Sequence, residues 1–177
     1  MGKKALVTGS SGFIGFFTSK KLLDEGWEVV GIDNLNTYYD QNLKASRQRL
    51  LQKFDNFSIV NKSIEETNML KNIIKMHKPE LIIHLAAQAG VRYSIENPRA
   101  YLSSNIIGTF ELLEAAKLYP PKHIMIASTS SAYGANPEMP FKEVDKSDFQ
   151  VSFYAASKKA TENMAHSYSH IYKLPLT

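Results

Sequence analysis

Two side chains near the end of the sequence, Tyr154 and Lys158, could carry out proton transfer together. They are four residues apart in the segment 152–172, whose pattern predicts a helix, so both lie on one helix face. A phenol has an ordinary pKa of about 10, and a neighbouring ammonium lowers that pKa by favouring the phenolate. Tyr154 is therefore a candidate general base. The same spacing is common on exposed helices, so the pair needs other sequence features to support it.

A glycine-rich stretch near the start of the chain is the second candidate site. The apolar run 5–7 is followed by Thr8-Gly9-Ser10-Ser11-Gly12-Phe13-Ile14-Gly15, a pattern that predicts a strand, a tight loop and a helix. Gly9 suits a positive φ, Gly12 lets a phosphate approach bare backbone, and Gly15 lets the helix pack closely on the strand. The N–H groups at the start of that helix would face a pyrophosphate, although such loops also occur for geometric reasons alone.

An acidic residue stands about twenty residues beyond these glycines. Asp33-Asn34 follows the second predicted strand, 28–32. A carboxylate at this point can accept hydrogen bonds from both hydroxyls of an adenosine ribose. Because it would repel the phosphate of NADP, it favours NAD as the cofactor. The alternative is that Asp33 only forms the turn after the strand.

The rest of the chain alternates between strand and helix patterns. Helices are predicted over 40–54, over 69–76 with an apolar stripe that includes Met69 and Met76, and from Asn97-Pro98 to about 118. Strands are predicted over 57–61, 81–85 and 123–127, and the unbroken apolar run 81–85 is typical of a strand covered on both faces. The sequence therefore predicts an α/β fold, a Rossmann-type doubly wound parallel sheet with helices on both faces, as one domain over 1–177.

Composition excludes several classes of function. The 177 residues hold 21 Lys and Arg against 17 Asp and Glu, a net charge of +4, and the basic residues are scattered, so no nucleic-acid partner is expected. The chain has no cysteine, which fits the cytoplasm, and no apolar run of about 18 residues that would span a membrane. His166 and His170 are spaced like metal ligands, but no third ligand accompanies them and no metal is expected.

The whole chain resembles the amino-terminal part of the extended short-chain dehydrogenase/reductases, the nucleotide-sugar epimerase/dehydratase family. The resemblance rests on the glycine stretch, Asp33-Asn34, Thr129-Ser-Ser-Ala-Tyr133-Gly134 and Tyr154-x-x-x-Lys158. It implies Tyr154, Lys158 and Thr129 as catalytic residues, with the Thr129 hydroxyl bonded to the reacting sugar oxygen and Lys158 on the nicotinamide ribose. It implies an NAD site formed by Gly9, Gly12, Phe13, Ile14, Gly15, Asp33, Asn34, Ser63, Ile64, Leu85, Ala86, Ala87, Gln88, Asn105, Tyr154 and Lys158.

The resemblance also narrows the reaction. Ser130 and Ser131 stand where dehydratases and decarboxylases of the family carry acidic residues, which favours an epimerase. The stretch 86–98 looks like that of UDP-glucuronate 4-epimerases, in which Arg92, with Thr129 and Ser130, would contact a UDP-sugar. Arg92 could instead form an ion pair with Glu96. The implied reaction is the NAD-dependent conversion of UDP-glucuronate to UDP-galacturonate, by hydride removal from C4 and return to the opposite face with Tyr154 as the base.

Two alternatives and two departures accompany this interpretation. The alternatives are an epimerase of the UDP-glucose 4-epimerase type and an NAD-binding module without chemistry of its own. Ser63 stands where the family usually has an aspartate for the adenine amino group. The chain also stops where the family continues into a sixth strand and a substrate domain. We therefore expect an amino-terminal part of a longer enzyme, inactive alone and homodimeric when full length.

Overall fold

Five short apolar runs form the sheet that organises the molecule. The structure, a computed structural model, describes residues 2–177. The strands are Lys4–Thr8 (β1), Glu28–Ile32 (β2), Phe57–Val60 (β3), Leu81–His84 (β4) and His123–Ile126 (β5). All neighbouring strands are parallel, in the order β3-β2-β1-β4-β5. The winding direction therefore reverses between β1 and β4, which is where ligands bind in open α/β sheets.

The helices follow the strands in alternation. They are Phe13–Asp24 (α1), Gln41–Leu51 (α2), Met69–His77 (α3), Tyr93–Glu96 (α4), Pro98–Tyr101 (α5), Gly108–Leu118 (α6) and Phe153–Tyr172 (α7). Polar side chains begin several of them: Asp40 caps α2, Asn97 caps α5 and Ser152 caps α7. Within residues 2–177, none of these helices combines the length and the apolar character needed to span a membrane.

Apolar side chains that alternate along the strands divide the core between the two faces of the sheet. Leu6 and Val30 point to one face, where α3 and α6 supply Leu70, Ile74 and Leu112. The other face is covered by α1 and α2, whose buried residues there are Phe16, Leu22, Leu23 and Leu51. Helices on both faces of a parallel sheet confirm the predicted doubly wound fold.

The predicted helix after Asn97-Pro98 is not regular. Between α5 and α6 the segment Leu102–Ile107 is a π-helix, and Asn105 within it is fully buried. A π-helical turn inserts an extra residue and shifts the side chains that follow it, and such turns are frequent at functional sites. The sequence pattern predicted one continuous helix, because this turn has no signature of its own.

Two smaller differences separate prediction and structure. The helix predicted over 40–54 is shorter, since Asp40 is its cap and it ends at Leu51. Met76, which belongs to the predicted apolar stripe, exposes 71% of its surface because the buried residues of α3 are Met69, Leu70 and Ile74. The segment after α7 lies beside β5, where the Ile124 N–H donates to Pro175 O at 2.8 Å.

Candidate functional site

A cavity of about 750 Å³ lies at the carboxyl ends of the central strands. Its volume is within the range of about 300–1,000 Å³ that small-molecule sites occupy. Its wall brings together most of the residues predicted to bind a cofactor. These are Gly9, Gly12, Phe13, Ile14, Gly15, Asp33, Asn34, Ile64, Leu85, Ala86, Ala87, Gln88, Tyr154 and Lys158. The glycine turn and the Tyr154–Lys158 pair, far apart in sequence, thus face one space.

The glycine turn is shaped by close backbone contacts. Gly9 has a φ of +73°, and a Cβ there would lie 2.9 Å from the Ala86 nitrogen. A Cβ on Gly15 would collide with the Gly9 carbonyl oxygen, so this glycine lets α1 pack on the turn itself rather than on the strand. The cavity wall includes Gly9 and Gly12, whereas Ser10 and Ser11 are buried. The turn is therefore not filled by its own side chains.

The amino terminus of α1 opens into the same cavity, since Gly12 is its cap and Phe13 its first residue. Among the residues that the structure describes, no side chain caps this terminus and no acidic residue lies in its first turn. Backbone N–H groups at the start of a helix carry a partial positive charge. This end of the cavity can therefore bind an anion such as a phosphate.

Asp33 ends β2 with its carboxylate held by the backbone. Its Oδ2 accepts a hydrogen bond from the Ser11 N–H at 3.0 Å, and its Oδ1 accepts one from the Leu35 N–H at 2.9 Å. Each carboxylate oxygen can accept a further bond, so both retain capacity for ligand hydroxyls. Next to it, the Asn34 side chain donates to Ser63 Oγ at 3.0 Å. Asp33 is thus both a turn former and a wall residue.

A buried histidine fixes the ends of β1 and β4 relative to each other. Thr8 Oγ1 accepts hydrogen bonds from the N–H groups of Leu85 and Ala86, both at 3.1 Å, and lies 2.8 Å from His84 Nδ1. Since a hydroxyl has one proton and two lone pairs, Thr8 donates that proton to Nδ1. His84 Nε2 then carries the ring proton and donates to Thr109 Oγ1 at 3.1 Å.

The environment keeps His84 neutral. Burial, and secondly the positive charge of Lys158, lower the pKa of His84 to about 3. Its hydrogen bonds need the neutral ring, because a protonated Nδ1 could not accept from Thr8. His84 is therefore a core residue with both ring nitrogens hydrogen-bonded.

Asn105, from the π-helical turn, supports the opposite wall of the cavity. Its Oδ1 accepts from the Gln88 N–H at 2.7 Å, and its Nδ2 donates to Gln88 O at 3.1 Å and to Ser157 Oγ at 2.9 Å. Ser157 in turn donates to Tyr154 O at 2.7 Å. Asn105 does not line the cavity, but it ties the loop after β4 to the amino-terminal part of α7.

Lys158 is almost completely buried beside Tyr154. Burial lowers the pKa of Lys158 to about 8, and the negative charge of Glu162 acts in the opposite direction. A pKa near 8 leaves the ammonium mostly protonated at neutral pH, so a cation is available beside the phenol. Glu162 also accepts a short hydrogen bond from Ser128, which lies on the cavity wall after β5.

The predicted residues that do not line the cavity are Ser63, Arg92, Asn105, Thr129 and Ser130. Thr129 follows the wall residue Ser128 and begins the 3₁₀ turn Ser130–Tyr133, where its Oγ1 accepts from the Ser131 N–H at 3.2 Å. Arg92 is exposed at the start of α4, and within residues 2–177 it makes no ion pair, so the alternative of an Arg92–Glu96 pair is wrong. In that same part of the chain, no cluster of three potential ligands is arranged to hold a metal ion.

Several wall residues were missed by the sequence analysis, notably Tyr38, Tyr39, Lys44 and Arg47. Lys44 and Arg47 belong to α2, which the sequence pattern indicates as an amphipathic surface helix. Lys44 is nevertheless 6% exposed, and its Nζ donates to Asn36 Oδ1 at 2.7 Å. The sequence did offer one indication that the two tyrosines line the site. They follow Asp33 closely, in a loop that starts at the carboxyl edge of the sheet.

Comparison with known proteins identifies similar chains. The family model described as GDP-mannose 4,6 dehydratase matches residues 6–177. A protein of Rhizobium meliloti (strain 1021), named as a probable UDP-glucuronate 4-epimerase, is 52% identical over 172 residues, which are 97% of this chain and 50% of that protein. The chain thus spans about half the length of the curated relatives it matches.

The chain is also similar to solved structures of nucleotide-sugar 4-epimerases. The UDP-glucuronic acid 4-epimerase from Bacillus cereus, in complex with UDP-glucuronic acid and NAD, aligns with a TM-score of 0.91 and 31% identity, covering 98% of this chain and 55% of that one. The UDP-glucose 4-epimerase from Thermotoga maritima, with UDP-glucose, aligns with a TM-score of 0.84 and 34% identity, over 98% and 53% of the two chains.

Proposed function

The chain belongs to the NAD-dependent epimerase/dehydratase family, whose matching model is described as GDP-mannose 4,6 dehydratase, and we propose that it forms the NAD-binding domain, 1–177, of a UDP-glucuronate 4-epimerase. The observation that carries this proposal is the shared cavity of the glycine turn and the Tyr154–Lys158 pair. The relatives and solved structures named as UDP-glucuronate 4-epimerases support the choice of reaction.

The residues present fit NAD at both ends of the cavity. The uncapped start of α1 and the bare backbone of Gly12 suit the pyrophosphate, and the Asp33 carboxylate suits the ribose hydroxyls. Lys158 would hold the nicotinamide ribose, as the family resemblance implies. NAD, when bound, would supply reversible two-electron redox chemistry at the sugar carbon.

The side chains of the chain would supply the proton chemistry. Tyr154 Oη would take the proton from the C4 hydroxyl of the sugar and later return it. The buried Lys158 ammonium would stabilise the phenolate. Since Thr129 Oγ1 already accepts the Ser131 N–H, its own proton is left to donate to the sugar oxygen. Asn105 would keep this arrangement in position through Gln88 and Ser157.

The substrate is proposed as UDP-glucuronate rather than UDP-glucose. Serines rather than acidic residues at 130 and 131 support epimerisation over elimination of water. Arg92 is exposed and free of ion pairs within residues 2–177, so its guanidinium is available for an anionic group of the UDP-sugar. UDP-glucose is the second candidate, supported by the likeness to the Thermotoga maritima enzyme.

To test this proposal, the protein that carries this chain is incubated with NAD and either UDP-glucuronate or UDP-glucose. The sugar products of each reaction are then analysed. We expect UDP-galacturonate from UDP-glucuronate, and a loss of turnover of about 10²–10⁴-fold in Tyr154→Phe with NADH binding retained. Unchanged turnover in Tyr154→Phe would remove the proposed base. Product from UDP-glucose alone would favour the second candidate, and NADH binding without any product would favour a non-catalytic module.

We also propose that the protein acts as a homodimer. Leu102, Phe110 and Leu118, along the helix that includes the π-helical turn, expose 39%, 43% and 52% of their surface, which supports association through apolar contacts. Light scattering coupled to size exclusion would measure the molar mass, and a monomer at micromolar concentration would contradict the proposal.

A further inference from the structure

A contact between two loops crosses the cavity at the carboxyl edge of the sheet. Tyr38 lies in the loop after β2, whereas Gly90 and Tyr93 follow β4. In the sheet, β2 and β4 are separated by β1, so the two strands are about 10 Å apart. Any contact between their loops must therefore pass over the end of β1, where the glycine turn begins.

The contact itself is close and aromatic. The Tyr38 hydroxyl is seated on Gly90, since a Cβ on that glycine would collide with it, and Gly90 has a φ of +97°. The rings of Tyr38 and Tyr93 have centroids 4.8 Å apart with an interplanar angle of 35°. Tyr38 also lines the cavity, so this bridge is part of its wall.

The far side of the bridge is anchored in the core. Tyr93 packs on Tyr101 with centroids 6.2 Å apart, and Tyr101 is fully buried. The Tyr101 hydroxyl donates to Ala89 O at 2.8 Å, next to Gly90. The loop after β4 is thus held in place, whereas Tyr38 approaches from a loop whose tip is exposed at Tyr39.

We propose that Tyr38, seated on Gly90 and Tyr93, is a dinucleotide-retaining residue that bridges the cavity and slows cofactor release. This inference rests on the proposed function, because it requires the cavity to take a dinucleotide. A ligand that lies along the carboxyl ends of β1, β2 and β4 leaves only when the Tyr38 contact separates. The need to break an aromatic contact of this kind slows release by about tenfold, while capture of the ligand by the open form is little affected.

The experiment measures NADH release from the native chain and its variants, by displacing bound NADH with excess NAD and following fluorescence. We expect Tyr38→Ala and Tyr93→Ala each to release NADH about tenfold faster, with association rates within about threefold of the native value. Tyr38→Phe keeps the ring and should stay within about twofold. Tyr172→Ala, which removes an exposed tyrosine at the end of α7, is the matched control and should release NADH at the native rate.

Two further variants show whether the Tyr38–Tyr93 contact alone accounts for the slow release of NADH. The double variant Tyr38→Ala/Tyr93→Ala should be no more than about threefold faster than either single variant, because both changes remove the same contact. Gly90→Ala displaces the Tyr38 hydroxyl while keeping both rings, and should also accelerate release. It serves as the second route if Tyr38→Ala does not fold.

Two outcomes would overturn the inference. One is NADH release from folded Tyr38→Ala within twofold of the native rate. The other is a double variant whose acceleration equals the product of the two single effects. A native chain that binds no NADH at all would instead overturn the proposed function, so the two failures are distinguishable.

Discussion

The two walls of the cavity are built by different means. On the wall after β1 and β2, backbone N–H groups hold the Asp33 carboxylate, and the space is defined by positions where a side chain would collide, such as Gly9 and Gly15. Behind the wall formed by β4, the π-helical turn and α7, buried polar side chains make the hydrogen bonds, namely His84 and Asn105. The first wall should therefore tolerate changes of polarity better than changes of volume, and the second the reverse.

Gly15→Ala should have the largest effect on stability. The added methyl group would collide with the Gly9 carbonyl oxygen, so α1 must move away from the turn. We expect a loss of about 3 kcal/mol in the free energy of unfolding, at the upper end for overpacking, and loss of NADH binding. Urea denaturation would measure the free energy of unfolding, and NADH fluorescence would measure binding.

The control for this prediction is Gly26→Ala, at a glycine with a positive φ of +80° whose added methyl group would have no atom within 4 Å. It should cost only about 1–2 kcal/mol from left-handed backbone strain and leave NADH binding unchanged. A loss in Gly15→Ala no larger than that in Gly26→Ala would mean that the collision with the Gly9 carbonyl oxygen does not define the first wall.

Asn105→Asp tests the second wall without changing its volume. The two hydrogen bonds that Asn105 donates, to Gln88 O and Ser157 Oγ, would be lost, and a carboxylate oxygen would face the Gln88 carbonyl. We expect a loss of about 2–3 kcal/mol in the free energy of unfolding, because buried polar groups are left without partners. The same substitution at exposed Asn61 should stay within about 0.5 kcal/mol. An Asn105→Asp variant as stable as the native protein would refute the contrast between the walls.

His84 makes the second wall sensitive to acid. The ordinary pKa of histidine, 6.5, applies to the unfolded chain, and burial lowers the pKa of His84 to about 3 in the folded chain. Below pH 6.5 the unfolded state therefore takes up the proton first, so stability is fully present above pH 6.5 and is lost as the pH falls towards 3. We expect a loss on the order of 2 kcal/mol between pH 6.5 and 5.

Urea denaturation at several pH values would measure this loss, with His84→Asn as the comparison. The variant should be less stable at pH 7 but should lose less stability between pH 6.5 and 5, because it has no ring to protonate. Equal pH dependence of the two proteins would assign the acid sensitivity to other groups.

The sequence predicted the first wall better than the second. The glycine turn, Asp33 and the strand ends follow from local patterns, and the parallel sheet follows from the alternation of strands and helices. The support around Asn105 depends on a π-helical turn and on partners 17 and 52 residues away, Gln88 and Ser157. No local pattern reports such contacts, because they form only when α7 packs against the turn.

Tyr38 and Lys44 were missed for a related reason. The periodicity of 40–54 indicated an apolar face and a charged face, and a lysine in such a pattern is normally assigned to solvent. Lys44 is buried because the loop before α2 folds back over it and presents the Asn36 oxygens to its ammonium. The roles of Tyr154, Lys158 and Thr129 in catalysis stay predictions, although the first two line the cavity.

Lys44→Met should have the smallest effect. Lys44 belongs to the first wall, but it is a buried polar side chain like those that support the second wall. Its Nζ donates to Asn36 O at 3.1 Å and to Asn36 Oδ1 at 2.7 Å, and burial lowers the pKa of Lys44 while Asp33 raises it. Removing the charge relieves its desolvation cost but loses both bonds, so the free energy of unfolding should change by less than about 1 kcal/mol. Release of Asn36, a wall residue, should weaken NADH binding by about threefold, whereas Lys53→Met, at an exposed lysine, should leave it unchanged. A loss of stability as large as that of Asn105→Asp would mean that the first wall, too, depends on its buried polar side chains.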